Sequence, residues 1–255
     1  MSTRTTLHSS QAPTGTKALL FAAGLGTRLR PFTDEHPKAL APVNGKTLLQ
    51  RNIEYLKAFG IFDIIINVHH FADQIIDFLE QHNNFGCRIS ISHEIEQALE
   101  TGGGLKYASW FFKDQSLPFL VMNVDILTDL DLGKMLQDHL VHRPMATLAV
   151  TDRISSRRLL FDEENILCGW TNQSTGETIL PRNGQGQLMP RSFSCVHLIE
   201  PQLLRILPGD GKFSIINSYL ELAKDQIIRG YRHDSDLVFD VGKPEAILEA
   251  EKYFK

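Results

Sequence analysis

The sequence predicts an α/β fold built on parallel strands, and three observations carry that prediction. Apolar or β-branched runs at 18–23, 63–68 and 119–123 have the length and character of strands buried on both faces. Stretches with helical apolar spacing separate them, Leu49, Ile53 and Leu56 being the first. Strand and helix keep alternating, which is the pattern of βαβ units, and 255 residues suffice to bury one substantial core. One domain is therefore expected over residues 17–255.

Taken in order, residues 1–16 are rich in Ser and Thr, lack periodicity and read as a flexible tail. The strand at 18–23 stops at Gly24 and Gly26, where the backbone can turn tightly. A helix over 47–59 ends at Gly60, and a strand at 63–68 follows. Next come a helix through Ile75, Ile76 and Leu79, a strand at 87–92, and a glycine-rich turn, Glu100-Thr101-Gly102-Gly103-Gly104, expected to precede a helix. The strand at 119–123, a helix at 131–141 and a strand at 146–150 continue the alternation. Segment 152–192 departs from it: apolar patches at 159–161, 166–170 and 177–180, separated by turn residues, predict antiparallel strands inserted beside the main sheet. A strand at 193–199, helices at 201–207 and 214–224, a short strand at 237–239 and a terminal helix opened by Pro244 complete the reading.

Composition narrows the function. With 26 Lys+Arg against 30 Asp+Glu the net charge is -4, which gives no footprint for nucleic acid, so any phosphate site must be local. Cys87, Cys168 and Cys195 are odd in number and widely spaced, which argues against a disulfide framework. No stretch approaches the roughly 20 apolar residues of a membrane span, and the N-terminus lacks a signal-peptide core; a cytoplasmic protein without a membrane partner is expected.

The first candidate site is the turn after the first strand. Small residues (Ala22, Ala23, Gly24, Gly26) leave room for a ligand, and Arg28, Arg30 and Lys38 follow closely, a combination suited to a polyphosphate. A dinucleotide-binding fingerprint is incomplete because Leu29 stands where its third small residue belongs, and a Walker loop fails because Leu40 stands where its first glycine belongs. Ligands of open α/β sheets sit beyond the carboxyl ends of strands, where Asp125 and Asp240 fall. Two such carboxylates suit Mg²⁺ beside a triphosphate, while as ordinary structure each caps a turn or helix.

The motifs Gly24-Leu25-Gly26-Thr27-Arg28-Leu29-Arg30-Pro31 and Pro37-Lys38-Ala39-Leu40-Ala41-Pro42-Val43 resemble the signature of the sugar-phosphate nucleotidyltransferases. Asn123-Val124-Asp125 is similar to that family's N-G-D metal motif, and Asp240-Val241-Gly242-Lys243-Pro244 to its D-V-G-x-P motif. The resemblance implies a Rossmann-like three-layer α/β/α sandwich around a mixed, mostly parallel sheet, with 152–192 on the sugar side. It implies transfer of a nucleoside monophosphate from an NTP to a sugar 1-phosphate, with release of pyrophosphate and with Mg²⁺ held by Asp125 and Asp240. Arg28 and Lys38 then act on the phosphates as catalytic cations. Ala22, Ala23, Gly24, Gly26, Thr27, Thr101, Gly102, Gly103 and Asn123 join them in binding the nucleotide, and Glu100 and Gly104 contact the sugar substrate.

The run Leu99-Glu100-Thr101-Gly102-Gly103-Gly104 resembles the version found in N-acetylmuramate-1-phosphate uridylyltransferases, which points to UTP; GTP with mannose 1-phosphate is the alternative. Two departures keep a catalytically weak sugar-nucleotide-binding regulatory protein as a reading of another class. Val124 replaces a glycine, which strains the site if that position needs a positive φ, and the family's Glu-Lys-Pro motif, whose lysine holds the sugar phosphate, is missing. Arg182, Arg191 or another cation would have to substitute for it. His69-His70, Trp170, Phe193 and Cys195 are read as structural residues first.

Overall fold

The computed structural model describes residues 11–255. In chain order the strands and helices are β1 (Lys17–Phe21), β2 (Pro42–Val43), β3 (Lys46–Thr47), α1 (Leu48–Ala58), β4 (Asp63–Val68), α2 (Ala72–Gln81), β5 (Arg88–His93), α3 (Glu100–Tyr107), β6 (Phe119–Asn123) and β7 (Ile126–Thr128). They continue as α4 (Leu132–His142), β8 (Ala146–Thr151), β9 (Arg157–Phe161), β10 (Leu167–Asn172), β11 (Glu177–Ile179), β12 (Met189–Ile199), α5 (Leu203–Ile206), α6 (Ile215–Leu222), β13 (Ile228–Arg232), β14 (Val238–Asp240) and α7 (Pro244–Ala250).

The main sheet runs β5-β4-β1-β6-β12-β8-β13, and every strand in it shares one direction except β12, which is antiparallel to both neighbours. The N-terminal part of β12 reaches beyond this sheet and pairs with β9, to which β10 and β11 add in antiparallel order. Segment 152–192 thus extends the sheet through one long strand rather than forming a separate layer.

Alternating side chains of the central strands feed two cores. Ala18, Leu20, Leu120 and Met122 face α1, α2 and α4, where Leu49, Ile53, Leu56, Ile75, Leu79 and Met135 are buried. Leu19, Phe21, Phe119 and Val121 face α3, α5 and α6, against Leu105, Leu203, Ile215 and Tyr219. The period-two strand pattern and the helical stripes therefore close on each other as a three-layer sandwich. α1 starts where expected because Thr47 accepts a hydrogen bond from the Gln50 N–H (3.0 Å).

Several expectations need correction. The glycine-rich run is not a turn before a helix: Glu100 through Gly104 form the first half of α3 itself. β13 carries no strand signal in its sequence, because Arg229, Gly230 and Arg232 break the apolar pattern, yet Ile228 and Gly230 are buried and pair in register with β8. Of the segment read as a tail, residues 1–10 lie outside the described residues. Within Gln11–Thr16, the Ala12 N–H donates to the Phe59 carbonyl (2.8 Å) and Thr16 is buried. Among the described residues, no helix is long and apolar enough to cross a membrane.

Candidate active site

A cavity of about 360 Å³ opens at the carboxyl ends of β1 and β6. Its wall is set by backbone bonds between neighbouring strand ends: the Ala22 N–H donates to the Asn67 carbonyl (2.8 Å) and the Val124 N–H to the Phe21 carbonyl (3.0 Å). Leaving β1, the chain turns at Gly26 with φ 63°, where a Cβ would meet Thr33 Cγ2 at 2.8 Å and Lys38 Cβ at 2.9 Å. Only glycine lets the loop fold onto the segment that carries Lys38. Ala22, Ala23, Gly24, Gly26, Thr27, Arg28 and Lys38 all line the cavity, as do Glu100, Thr101, Asn123 and Asp125. Arg30 lies outside it and pairs with Asp34 on the surface (3.0 Å).

Gly102, Gly103 and Gly104 do not line the cavity. A Cβ on Gly103 would sit 2.2 Å from the Gly211 carbonyl oxygen, one on Gly102 2.4 Å from the Phe213 ring, and one on Gly104 2.7 Å from Glu94 Oε1. These glycines seat α3 against the 211–213 loop and against Glu94, and that contact holds Glu100 and Thr101 at the rim.

A third small core fixes the charged residues. Leu29 and Val43 from the first loop pack with Leu127 and Val241. β7 and β14 pair so that Asp240 lies opposite Ile126, and the Val241 N–H donates to the Asp125 carbonyl (2.8 Å). The two aspartates, 115 positions apart in the sequence, are thereby held next to each other and to the first loop. Lys38, almost fully buried, forms an ion pair with Asp125, and Arg28 lies 3.9 Å from Asp240. Gly242 leaves room for the second pair, since a Cβ there would meet Arg28 Nη2 at 2.6 Å and Asp240 Oδ1 at 2.8 Å. Val124 stays outside the left-handed region and buries its side chain in the core, so no strain arises from the missing glycine. Its carbonyl accepts from Asn52 Nδ2 (2.8 Å).

The donor set fits a hard cation. Asp125 and Asp240 offer carboxylate oxygens beside a cavity, each balanced by one cationic side chain, and Mg²⁺ typically takes only one or two carboxylates with phosphate and water oxygens completing the octahedron. Among the described residues no cluster of three or more His, Cys, Asp or Glu forms an all-protein metal cage.

Sequence reasoning missed Glu94, Asn67 and Lys212. Glu94 is 2% exposed, accepts from Asn67 Nδ2 (2.8 Å) and from the Leu99 N–H (2.8 Å), and lines the cavity. As the first residue beyond β5 it carries the strand-end signal that drew attention to Asp125. Lys212, which pairs with Glu100 at 3.8 Å, sits on a loop that only α3 packing brings near, and no local pattern marks it.

A second cleft of about 590 Å³ lies under the β9–β11 extension, with Trp170 and Phe193 in its wall. Cys195 lines it at a bulge of β12 with φ 55°. Burial, reinforced by the carboxylates of Asp125 and Asp240, pushes its thiol up to about 12, so it is an unreactive wall group. His69 donates to the Glu94 carbonyl (2.6 Å) and His70 lies against Phe71, both structural contacts.

Comparison with known proteins agrees with this geometry. The family model described as nucleotidyl transferase matches residues 17–158. The N-acetylmuramate alpha-1-phosphate uridylyltransferase of Caulobacter vibrioides is 33% identical over 95% of this chain and 97% of its own. Mannose-1-phosphate guanyltransferase beta-B of Xenopus laevis is 36% identical, over 53% of this chain and 38% of its own. The crystal structure of HddC from Yersinia pseudotuberculosis complexed with GMP-PN superposes with a TM-score of 0.76 at 24% identity, over 94% of this chain and all of that one, a likeness of fold. On the family model and the full-length relative together, the chain belongs to the nucleotidyl transferase family and is a sugar-1-phosphate nucleotidyltransferase.

Proposed function

We propose that the protein transfers a uridylyl group from UTP to N-acetylmuramate 1-phosphate, or a related hexose 1-phosphate, and releases pyrophosphate. The choice of nucleotide and sugar rests on one observation: the uridylyltransferase relative matches along nearly the whole chain, whereas the mannose-1-phosphate relative matches about half of it. The triphosphate lies along the Gly24–Lys38 loop, and the base and ribose toward Glu100, Thr101 and Asn123. The sugar occupies the second cleft, with its ring against Trp170 and Phe193.

The chemistry asked of the side chains is positioning and charge neutralisation. The attacking phosphate oxygen is already anionic, so no general base is required. Arg28 meets the leaving pyrophosphate as a planar fork and Lys38 acts as a point charge near the reacting phosphorus. Both cations are held in advance by Asp240 and Asp125, so little reorganisation is needed when the phosphates arrive. Asp125 and Asp240 would hold Mg²⁺, which supplies further positive charge to the phosphates when bound.

The test is a pyrophosphate-release panel of UTP, GTP, CTP, ATP and dTTP against several sugar 1-phosphates, with Mg²⁺. UTP with N-acetylmuramate 1-phosphate is expected to give the highest kcat/KM. A maximum for GTP with mannose 1-phosphate would overturn the substrate assignment, and tight binding without any release would favour a regulatory protein.

A further inference from the structure

The register of β9, β10 and β11 builds one wall of the second cleft. Arg157, Asn172 and Glu177 stand in one cross-strand row and Leu159, Trp170 and Ile179 in the next, two positions along each strand, so the six side chains share one face of the sheet. All of them except Asn172 line the cleft, together with Phe193 of β12. The same β12 relates the cleft to the first cavity. Val196 pairs with Met122, and the residues adjoining that pair, Cys195 and Asn123, line the second cleft and the first cavity respectively.

Leu159, Trp170, Ile179 and Phe193 make this wall apolar, and Arg157 places a positive charge on it. The backbone of Arg157 is held on both sides: the Gln173 N–H donates to the Ser156 carbonyl (2.7 Å) and Ser155 Oγ to the Arg157 carbonyl (3.1 Å). Among the described residues its guanidinium has no hydrogen-bond or ion-pair partner. Neighbouring arginines are engaged. Arg158 belongs to the opposite face of β9, and its Nη2 donates to the carbonyls of Asp152 (3.1 Å) and Arg153 (3.0 Å). Arg191, opposite Leu159, is buried in an ion pair with Asp152, and Arg182 donates to the Gln226 carbonyl (3.3 Å). Glu177, at the far end of the Arg157 row, stands two strand spacings away, roughly 9–10 Å between backbones.

A neutral sugar lying on this wall covers the guanidinium without supplying an acceptor, and a charge covered but left unpaired is costly. A carboxylate removes that cost through two parallel hydrogen bonds to the planar fork. We infer that Arg157 selects a carboxylate-bearing sugar 1-phosphate over a neutral one, by pairing with the carboxylate on the lactyl ether of N-acetylmuramate; this rests on the transfer reaction and the placement of the sugar proposed above. The one side chain attracts the acidic sugar and penalises neutral ones, and specificity is the difference between the two affinities. Its fixed backbone lowers the ordering cost of binding.

The experiment compares wild type, R157A and R157K with N-acetylmuramate 1-phosphate and with N-acetylglucosamine 1-phosphate, which is the same sugar without the lactyl group. The readouts are calorimetric titration with each sugar phosphate and with UTP, and pyrophosphate release from UTP with each sugar. Wild type is expected to favour the acidic sugar by at least about tenfold, and R157A to lose about 10–100-fold in affinity and kcat/KM for it, the worth of a hydrogen bond to a charged group. For the neutral sugar the change should stay within about threefold and for UTP within about twofold, and R157K should recover part of the loss, because lysine keeps the charge but not the fork. An equal loss with both sugars would mean that Arg157 meets a group they share, and would overturn the assignment. So would a wild type that does not distinguish the two sugars. Wild-type turnover of the acidic sugar whose selectivity R157A leaves intact overturns the role of Arg157 and leaves the transfer reaction standing. Arg157-dependent binding of the acidic sugar in a wild type that releases no pyrophosphate overturns the transfer reaction and leaves the assignment standing.

Discussion

Asp125 and Asp240 carry the same chemistry in the proposed site but stand in different surroundings, and that separates their substitutions. The Lys38–Asp125 pair is largely buried, whereas Arg28 and Asp240 are about half exposed and 3.9 Å apart. Asp125→Ala strands a buried ammonium, so it should cost roughly 3 kcal/mol of stability, while the loss from Asp240→Ala should stay within about 1 kcal/mol. Turnover should fall by at least about 10²-fold in both, as when one electrostatic stabiliser is removed. Urea denaturation together with pyrophosphate release measures the two effects. Near-normal release in either variant would remove that carboxylate from the metal site.

Among the elements, α3 best shows what the sequence concealed. Its three glycines oppose helix formation by about 1 kcal/mol each relative to alanine, which is why the run reads as a turn. The structure explains their presence by contacts far along the chain, at Phe213, Gly211 and Glu94. Gly103→Ala is therefore expected to destabilise the protein by about 1–3 kcal/mol despite its better helix propensity, because the Cβ meets backbone that cannot swing aside. Gly24, with open space around its Cβ position, is the control, and Gly24→Ala should change stability by less than about 0.5 kcal/mol. A Gly103→Ala protein that unfolds at higher urea than wild type would show that the 211–213 loop does not bear on α3.

At the scale of the whole molecule, histidines buried on and beside the long strand β12 make stability depend on pH. His197 bonds to the Tyr219 hydroxyl, and burial lowers its pKa to about 3; His233 shares a hydrogen bond with Ser194 Oγ (2.9 Å), and burial lowers its pKa to about 4. His233 also faces Asp236, 3.6 Å from Nδ1, and His139 is lowered in the same direction by burial although Glu200 opposes the shift. Each histidine regains an ordinary pKa near 6.5 on unfolding, so the unfolded chain binds more protons between the two values. The stability they contribute is complete above about pH 6.5 and is lost as pH falls toward 4, by up to about 1.4 kcal/mol per pH unit for each group. Urea midpoints across pH 4–7 measure this slope, and His233→Gln should reduce it by about one proton equivalent. A flat profile would mean that these histidines carry charge in the folded state.

The sequence by itself determined the layers and one wall of the site. β4 and β6 coincide with their predicted runs, α1 begins beside its Thr47 cap, and the small residues and cations of the first loop all reach the cavity except Arg30, which pairs with Asp34 on the surface. These features rest on period, capping and turn chemistry, which act over a few residues and are visible locally. Tertiary structure alone decided the rest: that Asp240 sits opposite Ile126 beside Asp125, that Lys212 belongs to the cavity, that the α3 glycines serve packing, and that β13 exists despite its arginines. Each of these depends on partners many positions away in the chain, brought together by strand order and by the small core around Leu29, Leu127 and Val241, and neither leaves a local pattern to read.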